Sequence, residues 1–131
     1  MTEPHEIWLA YNAAENASDF DQLMRYVASD LAVTVNGRHA VGSASDDERA
    51  MRMLQELYPD YRREVDEALS SADRAIVRWR MIGTAADPAV PPLLVSGCSV
   101  VRVADGVMVQ AHLYYDGAAL DAALGAAGGA S

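Results

Sequence analysis

Lysine is absent from the 131 residues, and all ten basic side chains are arginine. That excludes Schiff-base catalysis and a phosphate-loop lysine. Cysteine is nearly absent too. Cys98 stands alone, which removes an intrachain disulfide and a multi-cysteine zinc site and suits a reducing compartment. Ten basic against nineteen acidic residues leave a net charge of −9, a field that repels a phosphate backbone, so nucleic acid is not an expected partner. No apolar run approaches membrane-spanning length, and the acidic opening Met1-Thr2-Glu3-Pro4-His5-Glu6 lacks the basic and apolar stretches of a signal peptide. No membrane partner is expected, and the expected location is the cytoplasm. What is present is a globular balance, 51 % apolar and 22 % charged, in a chain long enough for one core burying roughly two-thirds of its unfolded surface.

The first half carries helix signals. Thr2 and Pro4 start a helix with Ile7, Ala10, Tyr11 and Ala14 on one stripe, so Tyr11 faces inward. Asp19 and Gln22 form a capping box for a second helix through Leu23, Tyr26 and Val27. Ala32 to Val35 reads as a strand, and Asn36-Gly37 is the dipeptide of a tight hairpin. Ser45 and Glu48 then open a third helix, with Ala50, Met51, Leu54 and Leu57 as its apolar stripe up to Pro59. From Tyr61 the pattern is strand-like: Tyr61 to Leu69, Arg74 to Ile82, Leu93 to Val103 and Val107 to Tyr115. Asp116 caps a short closing helix through Leu120 and Leu124, and 125–131 is a small-residue tail expected to fray. The expected architecture is α+β, one domain over 1–124, with three N-terminal helices covering a curved, mainly antiparallel sheet. The concavity between them is the natural pocket.

The run Tyr11-Asn12-Ala13-Ala14-Glu15-Asn16-Ala17-Ser18-Asp19-Phe20-Asp21, the strand end from Arg78 to Thr84, Pro91-Pro92, Val101 to Gly106 and Tyr114-Tyr115-Asp116 resemble the NTF2-like (cystatin-like) superfamily. More narrowly, the chain is similar to its SnoaL-like polyketide cyclase and ketosteroid isomerase branch. The resemblance implies a cone-shaped scaffold that hosts several chemistries. It places Tyr11 where ketosteroid isomerases carry an oxyanion donor, but Val35 where they carry their base and Ser99 where they carry a second donor. Epoxide-hydrolase-like relatives would carry charged groups at Trp79, Met81 and Leu113, and aldol cyclases an acid at Leu113. The implied chamber is apolar.

On β-strand alternation Val77, Trp79 and Met81 share one face and Arg78 and Arg80 the other. Trp79 and Met81 either shape a ligand wall or fill the core, and Tyr11 either polarises a carbonyl or bonds to the backbone. Val33, Val35, Tyr58, Tyr61, Val77, Ser99, Leu113 and Tyr115 complete the expected substrate-binding set, Tyr58 and Tyr61 at the cavity mouth. His112 and Asp116 are weaker acid–base candidates, since alternation turns His112 away from Leu113 and Asp116 precedes a helical pattern. Asp46-Asp47-Glu48 complements a helix dipole and is not a calcium loop. His5 and His39 have no metal-ligand spacing, so neither metal nor cofactor is expected.

Trp79, Met81 and Tyr11 look similar to what pericyclase members of the superfamily use. The resemblance therefore implies a polyketide cyclase performing a cofactor-free intramolecular [4+2] or [6+4] cycloaddition on a polyene macrolactone, by shape and orientation. The alternatives are an acid–base isomerase or aldol cyclase with a relocated proton carrier, and a non-catalytic carrier of hydrophobic ligands or dimerisation module. A homodimer through the outer sheet face is implied as well, with Arg78, Arg80, Arg102 and His112 near an interface that supplies opposing carboxylates.

Overall fold

Proline supplies the first turn of α1 (Pro4–Asn16), where its missing N–H costs nothing, and the Glu3 N–H reaches the Glu6 carboxylate at 3.4 Å. The cap is thus Glu3 rather than Thr2. In this computed structural model, which describes residues 2–117, the remaining elements are α2 (Phe20–Met24), β1 (Val27–Val35), β2 (Arg38–Val41), α3 (Ala44–Leu57), β3 (Arg62–Ser71), β4 (Arg74–Gly83), β5 (Leu93–Ala104) and β6 (Val107–Tyr115). The expected closing helix and tail fall on 118–131, outside the described residues.

Two helix boundaries differ from the sequence reading. Asp19 caps α2 through the Gln22 N–H as expected, but the helix stops at Met24. Val27 instead pairs with Met108, and the Tyr26 carbonyl accepts the Met108 N–H, so tertiary pairing overrides a short helical pattern. At α3 the cap is Ser43, whose hydroxyl accepts the Asp46 N–H at 3.1 Å, two residues before the expected start.

The strands form one six-stranded mixed sheet in the order β2-β1-β6-β5-β4-β3. β1 lies parallel to β6 and all other neighbours are antiparallel, so the sheet is not a simple meander. Asn36 and Gly37, at φ 51° and 83°, make the two-residue turn from β1 to β2. α1 packs on β3 to β6, and α3 on β1 and β2. Ala75, Val77, Trp79 and Met81 of β4 are buried under them. Arg78 and Arg80, on the outer face, pair with Glu64, Asp66 and Glu67 of the neighbouring β3. Those two arginines thus have carboxylate partners within the chain.

Trp79 is fully enclosed, and its ring lies over Gly97 of β5. A β-carbon on Gly97 would come within 2.5 Å of the Trp79 ring and 2.8 Å of Tyr115 Cβ. Gly97→Ala is expected to cost about 1–3 kcal/mol through overpacking, measured by urea unfolding; an unchanged midpoint would show the indole free to move.

Candidate functional site

Between the helices and the concave sheet face lie two adjoining spaces. The inner one, of about 60 Å³, is lined by Trp8, Tyr11, Asp47, Arg63, Ser99 and apolar side chains from β1, β4, β5 and β6. The outer one, of about 310 Å³, is lined by Val33, Val35, Val41, Met81, Leu113 and Tyr115, with Asp47 at its boundary. Val33, Asp47, Met51, Met81 and Leu113 belong to both. The walls are largely apolar, but the cavity is not free of charge: Asp47 and Arg63 enter it. This overturns the expected neutral chamber.

Asp47 enters from α3, where Ala44, Asp47, Met51 and Leu54 fall three or four residues apart on the stripe that meets the sheet, and Asp47 is 6 % exposed. Across the cavity Tyr11 of α1 donates its hydroxyl proton to Asp47 Oδ2 at 2.7 Å. Burial raises the Asp47 carboxyl above its ordinary value, opposed by the Tyr11 hydrogen bond and the positive Arg63. The Tyr11 phenol is pushed well up by burial and by the negative charges of Asp47 and Glu15. The pair is a proton-bearing phenol beside a carboxylate of elevated basicity.

Arg63 is held from α1. Its Nη2 reaches both Glu15 carboxylate oxygens, at 2.8 and 2.7 Å, and its Nε donates to Asn12 Oδ1 at 2.9 Å. The Arg63 backbone is gripped as well: its carbonyl accepts from Asn12 and Asn16, and its N–H donates to Asn16 Oδ1. The Tyr61 hydroxyl donates to Glu15 Oε2 at 3.2 Å. Trp8 and Trp79 present ring faces to the guanidinium, with centroids 5.0 and 5.5 Å away. Burial raises the Glu15 carboxyl, countered by Arg63, while Arg63 itself remains firmly protonated beside that carboxylate.

The sequence matches the SnoaL-like domain over residues 8–111, most of the chain. The protein belongs to the SnoaL-like family. Among solved structures its fold is similar to that of wild-type IdmH from Streptomyces antibioticus, a proposed polyketide cyclase, with TM-score 0.77 and 21 % identity over 95 % of this chain and 99 % of that one. A proposed SnoaL-like polyketide cyclase from Jannaschia sp. CCS1 gives TM-score 0.76 and 21 % identity, covering 95 % and 94 %. AclR of Streptomyces galilaeus, a proposed hydroxylase, gives 0.72 and 22 %, covering 94 % and 96 %. At such identities these likenesses concern the fold. No curated protein sequence matches this chain significantly.

In this SnoaL-like chain the acid stands on α3, while Val35 and Leu113, the positions where relatives were expected to keep theirs, are apolar walls. Tyr11, Met81, Val33 and Ser99 meet at the inner space, and Tyr115 at the outer. Trp79 is not among the lining side chains; it is core, donating from Nε1 to Ser99 Oγ at 2.8 Å. Val77 is also core. Tyr58 is buried against Gly83 and Tyr61 is bound to Glu15, so both fasten α3 and β3 to the fold instead of closing the cavity. His112 contacts Thr34 Oγ1 through Nδ1 at 2.7 Å and lines neither space. Asp116 follows β6 as an exposed residue and lines neither space. Among the described residues no three His, Cys, Asp or Glu side chains gather as metal ligands, and no helix is long and apolar enough to cross a membrane.

Sequence reasoning missed Asp47, Arg63 and Glu15. Signals for them existed: Glu15 is four residues from Tyr11 and seven from Trp8 on one helical stripe, and Arg63 shares one face of β3 with Val65, two residues after the buried Tyr61.

Two stability outcomes follow from these burials. Glu15→Gln leaves the Arg63 charge buried without its counterion and is expected to cost about 3–5 kcal/mol; denaturant unfolding within 1 kcal/mol of the parent (roughly a fivefold change in equilibrium) would contradict it. At Asp47 the elevated carboxyl holds its proton in the folded chain where the unfolded chain has lost it. Its contribution is complete below the unfolded value of about 3.9 and is lost as pH rises through the folded value. Asp47→Asn removes that loss and keeps an oxygen for Tyr11. Its urea midpoint should therefore gain on the parent's between pH 4 and pH 7; a variant that loses ground over that interval would contradict the assignment.

Proposed function

We propose that this chain is a SnoaL-like polyketide cyclase or isomerase that works by proton transfer, with Asp47 as the proton carrier and Tyr11 as its poising partner. The observation that carries this reading is the 2.7 Å hydrogen bond from Tyr11 to Asp47 at the shared wall of the two spaces. A carboxylate in water is a feeble base toward carbon. One raised by burial is stronger, and its conjugate acid still returns the proton readily, which is the balance general acid–base catalysis needs.

The chemistry balances within the site. Asp47 takes a proton from a carbon next to a carbonyl, the C–H electron pair becomes the carbon–carbon double bond, the carbonyl π pair moves to oxygen, and an enolate forms. Either the proton returns at another carbon, completing an isomerisation, or the enolate carbon attacks a second carbonyl and Asp47 protonates the resulting alkoxide, closing a ring. The apolar outer space holds the remainder of the molecule in the reactive shape. No cofactor takes part in these steps.

A cofactor-free cycloaddition on a polyene macrolactone is the second reading, favoured by the aliphatic wall of Val33, Val35, Met81 and Leu113. It has no use for a carboxylate. The two readings separate on exchange of α-protons of a hydrophobic ketone in D2O, followed by NMR. The proton-transfer reading expects catalysed exchange, a rate that falls as Asp47 is protonated on the acid side, and a loss of about 10²–10⁴-fold in Asp47→Asn. No catalysed exchange, or a rate independent of pH and of Asp47→Asn, would contradict it, and accelerated ring closure of a linear polyene macrolactone would then select the cycloaddition.

A further inference from the structure

Arg63 has more hydrogen-bonding capacity than its partners use. Nε is taken by Asn12 and Nη2 by Glu15, while among the described residues no hydrogen-bond partner meets Nη1. No side-chain nitrogen or oxygen there is both enclosed and unpartnered, so Nη1 keeps open surface. The residue is 4 % exposed and lines the inner space.

We infer that Nη1 of Arg63 is an oxyanion-binding site, and that the substrate is a 1,3-dicarbonyl or phenol-like compound whose oxygen, ionised as Asp47 takes the proton, seats in the inner space while its apolar body fills the outer one. The inference rests on the proton-transfer reading for its catalytic meaning and on the cavity alone for its binding meaning.

Three observations support it. The inner space, about 60 Å³, is the smaller of the two and suits an oxygen and its attached carbons, with the outer space of about 310 Å³ left for the rest of the molecule. The other polar groups there are less free to serve: the Tyr11 proton is given to Asp47, and Ser99 Oγ already accepts from Trp79, leaving only its own hydroxyl proton to assist. The guanidinium is locked by Glu15 and Asn12 beside the faces of Trp8 and Trp79, so its donors are oriented before a ligand arrives.

Charge bookkeeping agrees. With Arg63 neutralised by Glu15, an ionised Asp47 leaves the cavity with one negative charge. When a carbon acid gives its proton to Asp47, that charge moves onto the enolate oxygen and toward Arg63. No additional ion is buried.

The test uses para-nitrophenol, whose ionised form absorbs at longer wavelength, titrated against the intact protein. The charged and titratable groups around Arg63 are Glu15, Asp47, Tyr11 and Tyr61. The bound probe is expected to ionise at least one pH unit lower than the free probe, about a tenfold change in its acid constant. In Asp47→Asn, where the competing negative charge is gone, the phenolate should bind several-fold tighter. A bound probe that ionises at the same or higher pH, or no saturable binding at millimolar probe, would overturn the inference.

Removing Arg63 alone strands Glu15, so the matched variant is Glu15→Gln with Arg63→Gln. Folded by circular dichroism, it should lose the lowered ionisation; retaining it would also overturn the inference. Should that variant not fold, the parent and Asp47→Asn titrations decide. Full exchange activity in Asp47→Asn would sink the proton-carrier reading while leaving the oxyanion site to stand or fall on the probe.

Discussion

The buried ion pair between Glu15 and Arg63 is the constraint on which the rest of the site depends. Each ion taken from water costs several kcal/mol, and the cost is offset only when geometry and surrounding hydrogen bonds are complete. Here they are: a two-oxygen contact from Nη2, a phenol on the carboxylate, an amide on Nε, and two asparagines on the Arg63 backbone. Because Asn12, Glu15 and Asn16 all belong to α1, the network fixes both the height and the rotation of that helix on β3. Tyr11 is one turn from Glu15, and its position opposite Asp47 follows.

The same network shapes the field in the cavity. Arg63 draws the Asp47 carboxyl back toward ionisation while burial pushes it the other way. Glu15 limits how much positive potential Arg63 exerts. The outcome is a carboxylate more basic than an exposed one, close to a fixed cation, inside largely apolar walls. Such a cavity stabilises a charge that migrates from one oxygen to another better than one that appears from nothing. The aliphatic outer space adds shape without adding charge.

Much of the fold was legible in the sequence because its signals are local. The strand limits from Arg62 to Tyr115 lie within two residues of the pattern-based ones, the Asn36-Gly37 turn is where its dipeptide put it, and alternation on β4 separated Val77, Trp79 and Met81 from Arg78 and Arg80. The parallel pairing of β1 with β6 has no local signal. In the site, Tyr11 and the apolar wall of Val33, Val35 and Leu113 were legible, and the charges were not. An acid in the first turn of a helix ordinarily faces water and serves the dipole. Asp47 reads that way from its place near the helix start, yet it stands four residues before Met51 and seven before Leu54, on the inner stripe. A resemblance also directs attention to the positions where relatives keep their acids, and here the acid comes from another element.

The central claim is that the cavity contains a carboxyl group of raised proton affinity bonded to a neutral phenol. Carbon-13 NMR of the Asp47 side-chain carboxyl, identified by its loss in Asp47→Asn, reads that affinity without any substrate. A titration midpoint above the ordinary value of about 3.9, with the Tyr11 ring carbon bearing oxygen unshifted through neutral pH, is the expected result. A midpoint at or below that value would mean that Asp47 is a structural hydrogen-bond acceptor, and the proton-transfer account would fail.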